Sequence, residues 1–306
     1  MKWKKLGLIF ESDKRYLWMQ SYAWVPSIQH LEGDRFRVYF GGRNLDNFSQ
    51  TGFFEFDIKS PSKILKISPE PVIKLGKLGL FDDSLALATS FVKHEEKCYL
   101  YYVGWMQGKR TRYYPLLGVA ISDNNGVTYK KNSLAPMIPR TNEEPFGMAS
   151  PFVMVDDNKW KLWYASYRKW EIRNNDEPWP IYELRYAESD DGINWNLKNH
   201  TCIKNENDEA MARPYILKED CTYKMWYTYR KQFDKYKIGY AESDNGIDWI
   251  RMDDKVGIHC SKEGWDSEMI EYPCVFKHKN NTYMLYNGNS HGKTGIGMAL
   301  LESNIL

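Results

Sequence analysis

Four acidic stretches each stand a few residues ahead of an apolar run: Asp83 in FDDS, Glu144 in NEEPFGMASP, Glu209 in ENDEAMARP, and Glu268 with Glu271 in GWDSEMIEYP. Carboxylates in unlike surroundings can divide into a protonated acid and an ionised base, the pair that cleavage of a sugar acetal requires. Arginines recur in comparable places, Arg43, Arg168 and Arg230 after aromatic runs and Arg213 before an apolar one. Their paired donors suit a carboxylate or phosphate. Trp24 and Trp105 offer flat apolar faces of the kind that stack on sugar rings, and Asn289 and His291 in NGNSHGKTG add polar groups. On these grounds Asp83 and Glu209 are expected to be the acid/base pair and Glu268 a third carboxylate. Trp24, Arg43, Trp105, Glu144, Arg168, Arg213, Arg230, Glu271, Asn289 and His291 would then contact the ligand.

These residues are far apart in the chain, so the fold must gather them. The decapeptides YAESDDGINW (186–195) and YAESDNGIDW (240–249) are nearly identical, and they belong to a longer repeat. The landmarks Pro26, Ser90, Pro151, Pro214 and Pro273 each open an apolar run and fall at intervals of 64, 61, 63 and 59 residues. After each comes a polar turn, an aromatic run such as CYLYYVGW (98–105) or TYKMWYTY (222–229), and a third run such as YKIGYAES. Alternating β-branched and aromatic residues bounded by turn chemistry predict strands, and a fixed period of this length predicts radial repetition. Asn125-Gly126, Asp191-Gly192 and Asn245-Gly246 are tight-turn pairs leading into a fourth strand.

The expected fold is therefore all-β, a five-bladed β-propeller of four-stranded antiparallel blades forming one domain over residues 1–306. The blades would span about 26–70, 83–138, 150–203, 213–258 and 272–301. The last copy ends after its third strand, and KKLGLIF (4–10) has no blade of its own, so the N-terminal strand should close that blade. In such a ring, residues just before each first strand and just after each second strand meet at one mouth of the central channel. The candidate residues occupy those places.

Composition narrows the partners. Lys plus Arg is 42 and Asp plus Glu is 40, so no overall field favours nucleic acid or an anionic membrane. No run is long enough to span a bilayer, and no secretory leader is read at the start. Five cysteines with no paired spacing suggest reduced thiols and a cytoplasmic setting. No metal-ligand spacing is visible, so neither metal nor cofactor is expected.

The blade openings VPSI, SPFV and RPYI, the second strands YLYYVGW and KMWYTYR, and the SDDGxxW-like turns resemble the five-bladed glycosidases of glycoside hydrolase families 43, 32, 62 and 68, over almost the whole chain. A weaker, fold-level likeness is to the family 130 phosphorylases. The resemblance implies a carbohydrate or glycoconjugate substrate and carboxylate acid/base catalysis at the channel mouth. It also locates three departures. Members usually carry Asp immediately before the first blade's Pro, where this chain has Val25; the blade-three equivalent is Ser150; the general-acid Glu two residues before the blade-four Pro is Ala212. Two expectations stand side by side. One is a divergent enzyme acting on a glycosidic bond, with the arginines holding an acidic or phosphorylated sugar, by hydrolysis, phosphorolysis or transfer. The other is a propeller that binds carbohydrate without turning it over.

Overall fold

The computed structural model describes residues 1–172, 176–206, 208–231 and 234–302. Strand β1 (Trp3–Phe10) is followed by a first unit of β2 (Ser21–His30), β3 (Arg35–Arg43), β4 (Ser49–Asp57) and β5 (Ser60–Ile67). The second unit holds β6 (Leu85–His94), β7 (Lys97–Gln107), β8 (Tyr113–Ser122) and β9 (Lys130–Lys131). The third holds β10 (Met148–Asp156), β11 (Lys159–Ile172), β12 (Pro178–Ser189) and β13 (Asn196–Ile203). In the fourth are β14 (Ala210–Glu219), β15 (Thr222–Arg230), β16 (Lys237–Ser243) and β17 (Ile250–Arg251); β18 (Glu271–His278), β19 (Asn281–Asn287) and β20 (Ile296–Leu301) end the chain. Each unit is an antiparallel meander, and β1 pairs with β20 to complete the last one, Trp3 opposite Leu301 and Phe10 opposite Ile296. The first two units are also joined by a short parallel pairing of Ser49 and Gln50 with Leu85 and Ala86.

The first strands form a ring among the described residues: β2 packs on β6, β6 on β10, β10 on β14, β14 on β18, and β18 back on β2. This is a β-propeller, all-β with its sheets radiating from an axis. The second strands carry the packing. In β15, TYKMWYTYR, residues Tyr223 and Met225 to Tyr227 are buried while Thr222 and Lys224 are only partly covered.

The repeated decapeptide is a staple between neighbouring units. In its turn the Ser189 Oγ accepts hydrogen bonds from the Asp191 and Gly192 amides, and Asp191 Oδ1 accepts from Ile193 and Asn194. Gly192 sits at φ +73, and a Cβ there would lie 2.6 Å from the Tyr101 hydroxyl. That approach exists because Tyr101 donates to the Gly192 carbonyl at 2.9 Å. Tyr39 does the same to Gly126 and the Trp163 indole to Gly246, each donor lying on the second strand of the preceding unit. The sequence repeats because the same bond is made three times.

Charged nodes reinforce these seams. Asp156 of the third unit accepts from Lys161 and from Lys218 and Tyr223 of the fourth. Burial alone would raise its pKa, but these bonds pull it down to about 2. A carboxyl depressed on folding stabilises above its unfolded value near 3.9 and loses that contribution as pH falls toward 2. Asp156→Asn should therefore lower Tm at pH 7, with the gap to wild type closing between about pH 4 and pH 2 in a calorimetric series.

Candidate functional site

Every first strand shifts register around its landmark residue. In all but β6 the residue before the landmark proline is left-handed: Val25, Ser150, Arg213 and Tyr272 have φ values of 54°, 50°, 52° and 56°. This region is disfavoured for side chains with a Cβ, and most of all for β-branched valine. The bulges turn the chain inward at one end of the channel. Around that end lies a cavity of about 330 Å³, and Val25, Ser150 and Ala212 all line it. The positions where the resemblance leads one to expect acids are thus at the mouth, holding a valine, a serine and an alanine.

The acids before the first strands have other partners. Glu144, 1% exposed, accepts from Tyr164 at 2.8 Å, Ser166 at 2.5 Å and Arg185 at 3.3 Å. Asp82 takes Tyr102 and Lys131, and Asp266 takes Tyr286 and Lys5. In the fourth unit Asp253 takes Tyr227. These tyrosines occupy the same place on successive second strands, and burial followed by the carboxylate's charge pushes each hydroxyl's pKa well up. In these four units one acid fastens a second strand, and Asp82, Glu144 and Asp266 are buried.

None of the three residues expected to be catalytic lines the cavity. Asp83 accepts from the Gly79 amide and the Ser84 hydroxyl within its own turn. Glu209 is wholly buried and pairs with both terminal nitrogens of Arg251 at 2.6 and 3.0 Å. Glu268 is exposed and pairs with Lys235. The physical reason is reach: all three precede the bulge by at least three residues, and each is held by a partner outside the cavity lining. Glu209→Gln should behave as a stability mutant. With Arg251 still held by Asp253 at 2.7 Å, the loss should be about 3 kcal/mol, read as a Tm lower by roughly 5–10 °C.

Of the expected ligand contacts, the structure brings Trp24, Arg43, Trp105, Arg230 and His291 together as cavity lining. Arg168 lies to one side, donating to the Glu143 carbonyl and facing Glu144 and Glu183. Arg213 is wholly buried and pairs with neither Glu209 nor Glu268; from the fourth unit it donates to the Pro26 carbonyl of the first at 2.6 Å. Asn289 accepts from the Glu268 and Met269 amides. Glu271 is wholly buried and is joined to the cavity lining by His291, whose Nδ1 lies 3.0 Å from its Oε1.

Sequence reading missed Tyr182 and Trp179. They stand at the start of β12, a third strand, but β11 and β12 are extended to 14 and 12 residues as a hairpin that overhangs the mouth. The stretch PWPIY was the available signal. Tyr113, Tyr167, Tyr236 and Tyr272 complete an aromatic wall with Trp24 and Trp105. Trp105 stacks on Tyr113 at 4.0 Å and 6°, and Tyr113 shares a hydroxyl contact of 3.2 Å with Tyr167.

The charges are one-sided. The lining includes Arg43, Arg112, Arg230 and His291 and no Asp or Glu among the described residues. Arg230 is 2% exposed; it lies 4.3 Å over the Trp179 ring, donates to the Pro180 carbonyl at 2.9 Å and to Tyr236 at 3.1 Å, and leaves Nη1 without a partner among the described residues. Arg43 rests on Tyr22 and Trp24, its Nε also unpartnered there, and burial lowers its pKa. A larger groove of about 690 Å³ between the first two units has apolar walls including Phe53, Val72 and Tyr129, but it gathers no comparable set from several units.

Comparison with solved structures defines the fold. The chain superposes on a structure described as a complex of BT0996 with RGII, with TM-score 0.78 and 15% identity, over 98% of this protein and 92% of that one. A thermostable family-43 glycoside hydrolase gives 0.69 and 14% over 94% and 92%. The Bombyx mori GH32 β-fructofuranosidase BmSUC1 gives 0.61 and 13% over 95% of this protein and 63% of that one. The fold is that of the β-propeller glycoside hydrolases. No protein-family model matches the chain. By sequence it is 36% identical, over 99% of its length and all of the other's, to the Mycobacterium tuberculosis protein called uncharacterized protein Rv1502, and it belongs to the same family.

Proposed function

We propose that this five-bladed propeller, a single domain, takes an anionic carbohydrate into its channel mouth and acts there on a glycosidic bond. The observation that carries the reading is Arg230: a guanidinium almost entirely out of water, on the cavity wall, with one nitrogen unpartnered and no acid in the described lining. An unneutralised cation in such a place is costly unless a ligand brings the opposite charge, and a carboxylate or phosphate supplies acceptors in matching geometry. Arg43, likewise without an acid partner among the described residues, adds to the positive field, and the aromatic wall fits the faces of a sugar ring. The exposed free thiols Cys221 and Cys260 fit a reducing, cytoplasmic setting.

A second reading has its own support. Val25, Ser150 and Ala212 remove the acids from the places where the resembling glycosidases carry them, which favours a propeller that binds without turnover. A panel of neutral, uronic, sialylated and phosphorylated sugars separates the two. Binding read from tryptophan fluorescence should favour the anionic members, and product detection with and without phosphate should show hydrolysis or phosphorolysis. Equal affinity for neutral sugars would remove the anionic reading; selective binding with no product would favour the second.

A further inference from the structure

The mouth lacks lining carboxylates among the described residues but holds one group able to carry a proton at neutral pH, and the backbone around it is strained to present it. His291 and the preceding Ser290 both sit in the left-handed region, at φ 59 and 55. Two consecutive non-glycine residues there cost of order 1–3 kcal/mol each and persist only when their surroundings hold them. Asn289 does so: its side chain accepts from the Glu268 and Met269 amides and donates to the Gly264 carbonyl, while its amide donates to the Trp265 carbonyl. The result sets the imidazole on the cavity wall, its side chain 49% exposed, with Nδ1 on the wholly buried Glu271 carboxylate. Nε2 makes no hydrogen bond among the described residues.

We infer that His291 is the proton carrier of this site and that Glu271 is its positioning residue. This rests on the reading above that a glycosidic bond is cleaved here. As imidazolium, His291 gives its Nε2 proton to the leaving oxygen while the bond to the anomeric carbon breaks and its electron pair stays on that oxygen. A water then bonds to the anomeric carbon, and the proton it sheds returns to Nε2. One water is consumed and the ring ends as it began. Glu271 fixes the tautomer and stabilises the charged ring, as a buried acid behind a catalytic histidine does.

The groups facing His291 are Glu271 and Tyr272 on β18, Arg43 on β3, Arg230 on β15, and Tyr236 in the loop beyond it. Burial favours the neutral ring and the two arginines oppose its charge, but the Glu271 charge and hydrogen bond outweigh them, so the imidazole pKa stands above its usual value. The acid form therefore persists to higher pH than in an ordinary histidine, and its rate contribution should fall as pH rises through that raised value.

The test uses full-length protein, the methyl glycosides of glucuronic acid, galacturonic acid, arabinofuranose and xylose, whose alkoxide leaving groups need a proton, and the variants His291→Asn and Glu271→Gln. For a glycoside that wild type cleaves, His291→Asn should lower kcat at least about 100-fold with KM little changed. Glu271→Gln should move the high-pH limb of kcat to lower pH, and Glu271→Asp should restore part of the shift. In parallel, an NMR titration of the His291 ring should show a pKa that drops in Glu271→Gln by the same amount as the high-pH limb of kcat, a match that a purely structural acid would not produce. Cleavage by wild type with an unchanged rate and pH profile in His291→Asn overturns the inference and leaves the anionic-sugar reading standing. Absence of cleavage across the series, with selective binding retained in the sugar panel, overturns both the inference and the enzymatic part of the proposal.

Discussion

A chain lacking residues 1–10 is expected not to fold. Strand β1 is the fourth strand of the last unit, and without it β20 exposes an unpaired edge along the whole register from Ile296 to Leu301. Its buried residues go too. Trp3, Ile9 and Phe10 are 6%, 5% and 6% exposed; Phe10 stacks on Phe54 of the first unit at 4.2 Å, and the Trp3 indole donates to the Val256 carbonyl of the fourth. At roughly 1.5–3 kcal/mol per buried side chain, the three contribute about 5–9 kcal/mol before any ladder bond is counted. Net stability of a domain is only about 5–15 kcal/mol, so the loss removes most or all of it. Loss of Lys5 also leaves Asp266, 2% exposed, with one cationic partner fewer. The expected result is insoluble or dye-binding protein with no cooperative thermal transition by near-UV circular dichroism. Adding back a peptide of residues 1–10 should recover part of it. A truncated chain that melts cooperatively near the wild-type Tm would show that the ring does not depend on this strand.

Replacing Arg230 by Gln should abolish the preference for anionic sugars. The guanidinium lies out of water, so its interaction with a bound anion is weakly screened, and a charge-assisted bond in that setting contributes about 1.5–3 kcal/mol. That is roughly a 10- to 150-fold weaker Kd for glucuronate or a sugar phosphate, with the affinity for the neutral parent sugar changed little. Arg230→Lys should recover only part, because an ammonium cannot span the Pro180 carbonyl, Tyr236 and a ligand together as the planar fork does. The folded state should not suffer: removing a buried cation with no acid partner among the described residues relieves a desolvation cost. If Arg230→Gln binds both sugars as wild type does, the anion sits elsewhere.

The meander pattern and its closure by the N-terminal strand were legible because they depend on periodicity and turn chemistry, which are local. The mouth was legible in outline: Trp24, Arg43, Trp105, Arg230 and His291 meet there. The placement of the acids was not legible, because a carboxylate before a strand can pair within its own unit as easily as face the channel. Glu144 and Glu209 sit where a site acid would sit in sequence, yet each is consumed by a tyrosine or arginine within its own unit. Burial and pairing are tertiary facts that residue type does not carry. Trp179 and Tyr182 escaped because hairpin length, and not strand order, brings them over the opening.

Arg213 has a last consequence. Its reach from the fourth unit to the Pro26 carbonyl of the first spans two sheets that are not neighbours in the ring. That bond ties β14 to β2 beside Val25 and Ala212 of the cavity lining. Such a strut carries load straight across the ring, and not only round its seams from one sheet to the next.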